Sequence, residues 1–401
     1  MTVRIRKTPI SRINAIDSRH LRVALCAFAL ALPGCKSTPA PPADPEATLQ
    51  AAAEGGYAVH RRYDTATVHD TWLDGETPLD VSFIGPTARG AFPLIIYMPG
   101  LGETASAGVL WRQAWAEAGY AVLAVQSETF AAAFRSERAR AGDFQGLAKE
   151  NFSIRSLTSR LEQLHFVLDE TRRRSDAHVA PYSSIDSGHV ALAGFDLGAQ
   201  TAAAGLDEKA MVAPARAGQA IRAAILLSPY LDPAPGDVSK RLAAINVPVL
   251  SITGTEDADP LGLIASPALR RVPWQSMPVG DKYLLLLSAG THGLLAGTRL
   301  SELGTSGAET NQSKGGDSRS DSGRRSRRGG AGSAAPPPGE SGEVGRGNRT
   351  ARPFNVRQIA AVRSVTTAFL DATMKDDPAA RRWLAEDAGT WLEGSGKLQV
   401  R

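Results

Sequence analysis

Cysteine is almost missing from this chain: 401 residues hold two, Cys26 and Cys35. Cys26 sits in an apolar run near the N-terminus. If that run is removed as a signal, Cys35 stands alone, which excludes an internal disulfide. Net charge is small too, +4 over the whole chain, and part of it falls in segments without a helical pattern, so no nucleic-acid partner is expected. Nor does the N-terminal apolar run reach bilayer length: VALCAFALAL is ten residues long, where a crossing helix needs about 20. No internal repeat is visible. The remaining composition, 43% hydrophobic and 21% charged, is that of a globular protein able to bury a sizeable core.

What the N-terminus does contain is an export pattern. Arg4, Arg6, Lys7, Arg12, Arg19 and Arg22 precede the apolar run, and Leu32-Pro33-Gly34-Cys35 follows it. That tetrapeptide resembles a bacterial lipobox, which implies lipidation of Cys35 and a membrane partner reached through that anchor, facing the periplasm. Proline before the glycine departs from the usual pattern, and a plain signal-peptidase site is the alternative. Residues 1–35 are thus expected to be a signal segment. Residues 36–56, rich in Pro, Ala and small polar residues, are expected to be a flexible tether.

The folded body is expected at 57–303 and 353–388 as one domain. ATVHDTWL and LDVSFIG have the mixed polarity of edge strands, whereas FPLIIYM (Phe92 to Met98) is nearly all apolar, as a strand buried on both faces must be. AVLAV, HVALAG, AAILLS, VPVLSIT and YLLLLS repeat that character. Between them, Leu157, Leu161, Leu164 and Leu168 recur at helical spacing. Strands alternating with such helices predict an α/β fold, a mostly parallel central sheet with helices on both faces. Trp111 and Trp115 are expected to dock a helix on the sheet, and His165 and His189 to be packing or surface histidines. Residues 304–352, dominated by Gly, Ser, Arg and Pro, form a predicted disordered insertion whose only expected attraction is a weak one to anionic lipid head groups. The helical pattern resumes with Val362, Val365 and Phe369, and 389–401 is expected to be a tail.

Chemistry concentrates in HVALAGFDLGAQTAAAG. A buried strand ends near Gly194, turns sharply, and a helix starts at about Leu197. Gly194 and Gly198 relieve crowding around Asp196, which would stand at the carboxyl end of the strand, where open parallel sheets place ligands. This stretch resembles the nucleophile elbow of an α/β hydrolase, and the chain is similar to the capless branch that includes dienelactone hydrolases and platelet-activating-factor acetylhydrolases. The resemblance implies an α/β-hydrolase fold without a cap domain. It also implies the chain order nucleophile, acid, histidine. GTEDADP supplies the acid, Asp257 or alternatively Asp259, with Asp232 a weaker candidate, and THG supplies His292. In PGLGE, Pro99 stands where relatives commonly have histidine, and the backbone N–H groups of Leu101 and Leu197 are the candidate oxyanion hole. No metal or cofactor is implied.

Aspartate at an elbow changes the reaction. It is already ionised at neutral pH and needs no base to remove a proton. In dehalogenases and epoxide hydrolases, which resemble this elbow through their own aspartate, the carboxylate attacks an sp³ carbon, and histidine then activates water to cleave the alkyl ester. Those relatives carry a cap after the sixth strand; here only APGDVSKRLAAIN separates AILLSPYLDP from VPVLSIT. The expected function is a cell-envelope hydrolase acting on a small ester, lactone or other electrophile. A catalytically inactive binding or scaffold lipoprotein is the alternative, and an envelope structural protein working through its charged insertion is a third possibility.

Overall fold

The computed structural model describes residues 44–206, 221–231, 236–298 and 356–401. The signal segment with Cys35, the predicted insertion at 304–352, and Asp232 lie outside them. The strands are β1 (Thr65–Asp74), β2 (Thr77–Pro86), β3 (Phe92–Met98), β4 (Ala121–Ser127), β5 (Ile185–Phe195), β6 (Ile221–Leu227), β7 (Val249–Glu256), β8 (Lys282–Thr291) and β9 (Gly396–Val400). They form one sheet in the order β1-β2-β4-β3-β5-β6-β7-β8-β9. Pairing is parallel from β4 through β3, β5, β6 and β7 to β8, and antiparallel at β1–β2, β2–β4 and β8–β9. The expected α/β architecture with a mostly parallel sheet is therefore present.

Helices cover both faces because the apolar strands feed two cores. On β3, Ile95 and Tyr97 enter one core while Leu94, Ile96 and Met98 enter the other, as a period of two requires. The helices are α1 (Pro45–Ala52), α2 (Val109–Glu117), α3 (Glu128–Ala131), α4 (Glu137–Arg140), α5 (Phe144–Asn151), α6 (Ile154–Asp176), α7 (Leu197–Ala204), α8 (Val238–Leu242), α9 (Val272–Ser276), α10 (His292–Leu295), α11 (Val356–Met374), α12 (Pro378–Arg382) and α13 (Ala388–Trp391). The leucine stripe of α6, Leu157 to Leu168, packs on the face shared with α7. On the other face, Trp111 and Trp115 of α2 are fully buried, as their spacing predicted. Trp115 Nε1 donates to Thr366 Oγ1 at 2.9 Å and Arg363 Nε to the Leu110 carbonyl at 3.0 Å, so α2 and α11 are bonded as well as packed. Among the described residues no helix is long and apolar enough to cross a membrane.

Two predicted boundaries are corrected. The tether does not extend to residue 56: α1 folds back, and Leu49 is buried in the core with α11. A single large apolar residue in PEATLQAA gives little periodic signal, but it finds a site on a ready-made surface. The supposed tail contains β9, which completes the sheet beside β8, because Gly396 to Val400 can satisfy the open backbone edge of that strand. Between β6 and β7 the described residues contain only α8. Short helices α3 to α5 occur instead after β4. Phe130, Ala133, Leu147, Ala148 and Phe152 from this region form a small third core with Leu101, Leu197, Tyr230, Leu261 and Ile264.

Candidate active site

Asp196 occupies the single residue between β5 and α7, at φ 51° and ψ −107°. A non-glycine residue at positive φ is strained and persists only where its surroundings hold it there. Here the holding is close packing. A side-chain carbon on Gly198 would overlap the Met98 carbonyl, and one on Gly194 would overlap the backbone of Gly198, so only glycine lets the helix start this near the strand ends. The Asp196 N–H donates to the Leu227 carbonyl at 2.9 Å, tying the turn to β6. Behind it, the buried Arg160 of α6 donates to the Leu197 carbonyl at 2.8 Å and to Gln200 Oε1 at 2.7 Å.

Asp257 follows β7 and is fully buried, with four groups around its carboxylate. Oδ1 accepts from His292 Nδ1 at 2.9 Å and lies 3.1 Å from Arg270 Nε; Oδ2 accepts from Ser228 Oγ at 2.6 Å and Thr253 Oγ1 at 2.8 Å. Burial alone would push its pKa up. The His292 hydrogen bond, the Arg270 guanidinium, the His292 charge and the Ser228 hydroxyl together outweigh that and hold it below the ordinary carboxylate value. Because Nδ1 is the ring nitrogen held by Asp257, Nε2 is the one left for base chemistry. Its ring lies 4.7 Å from the ring of Phe195, centroid to centroid, and so beside the elbow. Asp259, the alternative acid, does something else. Its carboxylate accepts from the backbone N–H groups of Leu261, Leu263 and Ile264 and shapes its own loop.

Three groups at this rim were not read from the sequence. Arg270 is fully buried; Nη1 donates to the Ser228 carbonyl at 2.6 Å and lies 3.7 Å from Asp196 Oδ1, so one guanidinium serves both carboxylates. Ser228, itself at φ 49°, links β6 to Asp257. Glu103 accepts the Gly100 N–H at 2.7 Å on the turn after β3. Nothing in PALRR, SPY or PGLGE marks these as part of the rim; the signal lies in the tertiary contacts.

Burial is the largest influence on Asp196 and raises its pKa; His292 and Arg270 pull it down, Asp259 pushes it up and the Leu197 N–H pulls it down, leaving it above the ordinary value. Leu197, half of the expected oxyanion hole, directly follows Asp196 as the first residue of α7, and the Asp196 side chain makes no cap hydrogen bond to that helix. Leu101, the other half, is buried in the third core beside Leu197. The structure therefore brings Asp196, Asp257 and His292 to one rim, packs Leu101 beside Leu197, and turns the Asp259 carboxylate to its own loop. Chemically, the arrangement offers a strained carboxyl group, a base oriented by a second carboxylate, and a buried cation that favours the ionised form of both acids against burial. No protein-family model matches this chain, and no curated protein matches it.

Proposed function

We propose that this protein is a hydrolase of the α/β-hydrolase fold in which Asp196 attacks an sp³ carbon of a small electrophile. His292, oriented by Asp257, then delivers the water that frees the ester so formed. The observation that carries this reading is the Asp196 turn itself: a reactive side chain held at positive φ between a strand and a helix, at the same rim as a carboxylate–histidine pair. The order along the chain, residues 196, 257 and 292, is nucleophile, acid, histidine, and the turn that carries Leu101 follows β3.

Attack on an ester carbonyl is disfavoured on two grounds. It would make a mixed anhydride, a more energetic species than the ester consumed. It would also build an oxyanion within reach of the Asp259 charge, which already bears on Asp196. Attack on a saturated carbon needs neither. Burial strips water from the Asp196 carboxylate and makes it a better nucleophile, while Arg270 and His292 favour its ionised form. Phe134, exposed and lying against Gly102, gives the rim an apolar edge suited to a small uncharged substrate.

The test is a single turnover in ¹⁸O-water with enzyme in excess over an epoxide or haloalkane. The expected result is label in the Asp196 carboxylate, because water attacks the ester carbonyl of the enzyme. Label confined to the product would overturn the covalent route. Asp196→Ala should abolish alkylation; His292→Ala should leave the alkyl ester trapped on residue 196, visible as an added mass. The burial of Asp196, which raises its pKa and favours the neutral acid, supports a second reading, a non-catalytic binding protein, which predicts neither label nor added mass.

A further inference from the structure

The turn after β3 carries a carboxyl group that neither the nucleophile nor the base requires. Glu103 Oε2 accepts the Gly100 N–H at 2.7 Å, and Gln126 Nε2 donates to the Gly100 carbonyl at 3.2 Å, so the turn is braced from both sides. Gly100 is also where Glu103 meets the elbow. A side-chain carbon there would stand 2.8 Å from the Phe195 ring and 3.1 Å from Glu103 Oε2, which sets the carboxyl group against the residue before Asp196. Glu103 Oε1 has no hydrogen-bond partner among the described residues.

Two titratable groups face Glu103. Asp196 does so from the elbow, and its negative charge bears on Glu103. Tyr97 does so from β3, with a buried hydroxyl that has no partner among the described residues and with Arg112 beside it. His292 lies against Phe195. Burial, opposed by the Gly100 N–H and reinforced by Asp196, lifts the Glu103 pKa to about 7. The site therefore holds two carboxyl groups close enough to feel each other, one on the attacking residue and one on the facing turn.

Resting on the Asp196 reading above, we propose that Glu103 is the proton donor of this site, and that it suits the site to substrates whose leaving atom is an oxygen of a strained cyclic ether. In the first step an Asp196 carboxylate oxygen bonds to the ring carbon and the carbon–oxygen bond breaks. Its electron pair stays on oxygen, which takes the proton from Glu103. The products are a hydroxyalkyl ester of Asp196 and an ionised Glu103. The Asp196 charge vanishes in that step, so the repulsion that held the proton on Glu103 vanishes as the proton is needed elsewhere. In the second step water adds to the ester carbonyl and gives one proton to His292. The tetrahedral intermediate expels the diol oxygen, which takes that proton, and the carboxylic acid left on Asp196 returns its proton to Glu103. One water is consumed, one diol is released, and the site returns to its starting state, with the proton on Glu103 and Asp196 ionised.

Halide or sulfonate leaving groups depart without a proton, which separates this role from mere support of the turn. The full chain is assayed with para-nitrostyrene oxide and with methyl para-nitrobenzenesulfonate, the second read as methylation of Asp196 by mass. Glu103→Gln should lower kcat/KM for the epoxide by about 100-fold or more and leave methylation within about threefold of wild type. Independently of any variant, wild-type kcat/KM for the epoxide should fall as pH rises through about 7, where Glu103 loses its proton, while methylation should not fall. Equal losses on both substrates would mean that Glu103 only shapes the turn, and no loss on either would mean that it is idle; each overturns the proposal. Methylation of Asp196 with no epoxide turnover overturns it while leaving the Asp196 reading intact. A wild-type protein inert to both reagents overturns that reading first and this one with it.

Discussion

Asp196 stands where an L-residue is strained by about 1–3 kcal/mol, and the close contacts of Gly194 and Gly198 hold it there. The strain can be measured by substitution. Asp196→Gly and Asp196→Ala remove the same carboxylate, but only glycine relaxes at φ 51°. The glycine variant should be the more stable of the two by about 1 kcal/mol in urea unfolding, against its usual cost in a chain. Equal stability would mean that the turn is not strained. This much was legible in GFDLG, because paired glycines around one functional residue have few other uses. The preference for Asp257 over Asp259 was legible only as an offset from the preceding glycine, since two carboxylates two residues apart differ physically in what reaches them: His292, Ser228 and Thr253 for one, three loop amides for the other. Arg270 and Glu103 were invisible for a related reason. Arginine and glutamate in loops are ordinarily solvated, and burial, which has no sequence period here, gives them their roles.

Strands and long helices announced themselves through continuous apolar runs and the leucine stripe of α6; the short pieces did not. Helix α1 offers one large apolar residue over two turns, and β9 reads as GKLQV after a glycine-rich turn. Each acquires its structure from a neighbour that is already formed. Around α1 the docking is also polar: Tyr57 Oη donates to Asp371 Oδ2 at 2.9 Å and Tyr120 Oη to Asp371 Oδ1 at 2.7 Å, fastening the segment after α1 to the end of α11. Leu49→Ala should therefore cost about 2–3 kcal/mol, the value for a buried leucine and not for a tether residue. The denaturation midpoint should drop with an unchanged m-value. An unshifted midpoint would mean that α1 is not part of the cooperative unit.

The active rim draws on residues far apart in the chain: the turn after β3, the elbow after β5, and the loops after β7 and β8. All of them sit at carboxyl ends of parallel strands, so a single rigid sheet sets their spacing and no local motif could do so. The same sheet is completed from beyond residue 355, because α11 fills one core and β9 closes the edge of β8. Gln358 Nε2 donates to the Ser288 carbonyl and the Leu110 N–H to the Gly297 carbonyl at 3.0 Å, so the chain leaves and re-enters one packed body. None of these bonds involves residues 304–352. Replacing 304–352 by a short Gly/Ser linker should then keep the melting temperature within about 2 °C, because the buried surface that sets it is retained. Alkylation of Asp196 should also persist, since every group of the rim lies outside the replaced stretch. A large drop in melting temperature would place part of that stretch in the core. Normal stability with lost alkylation would place it at the site, and either result would redraw the folded body as a larger unit.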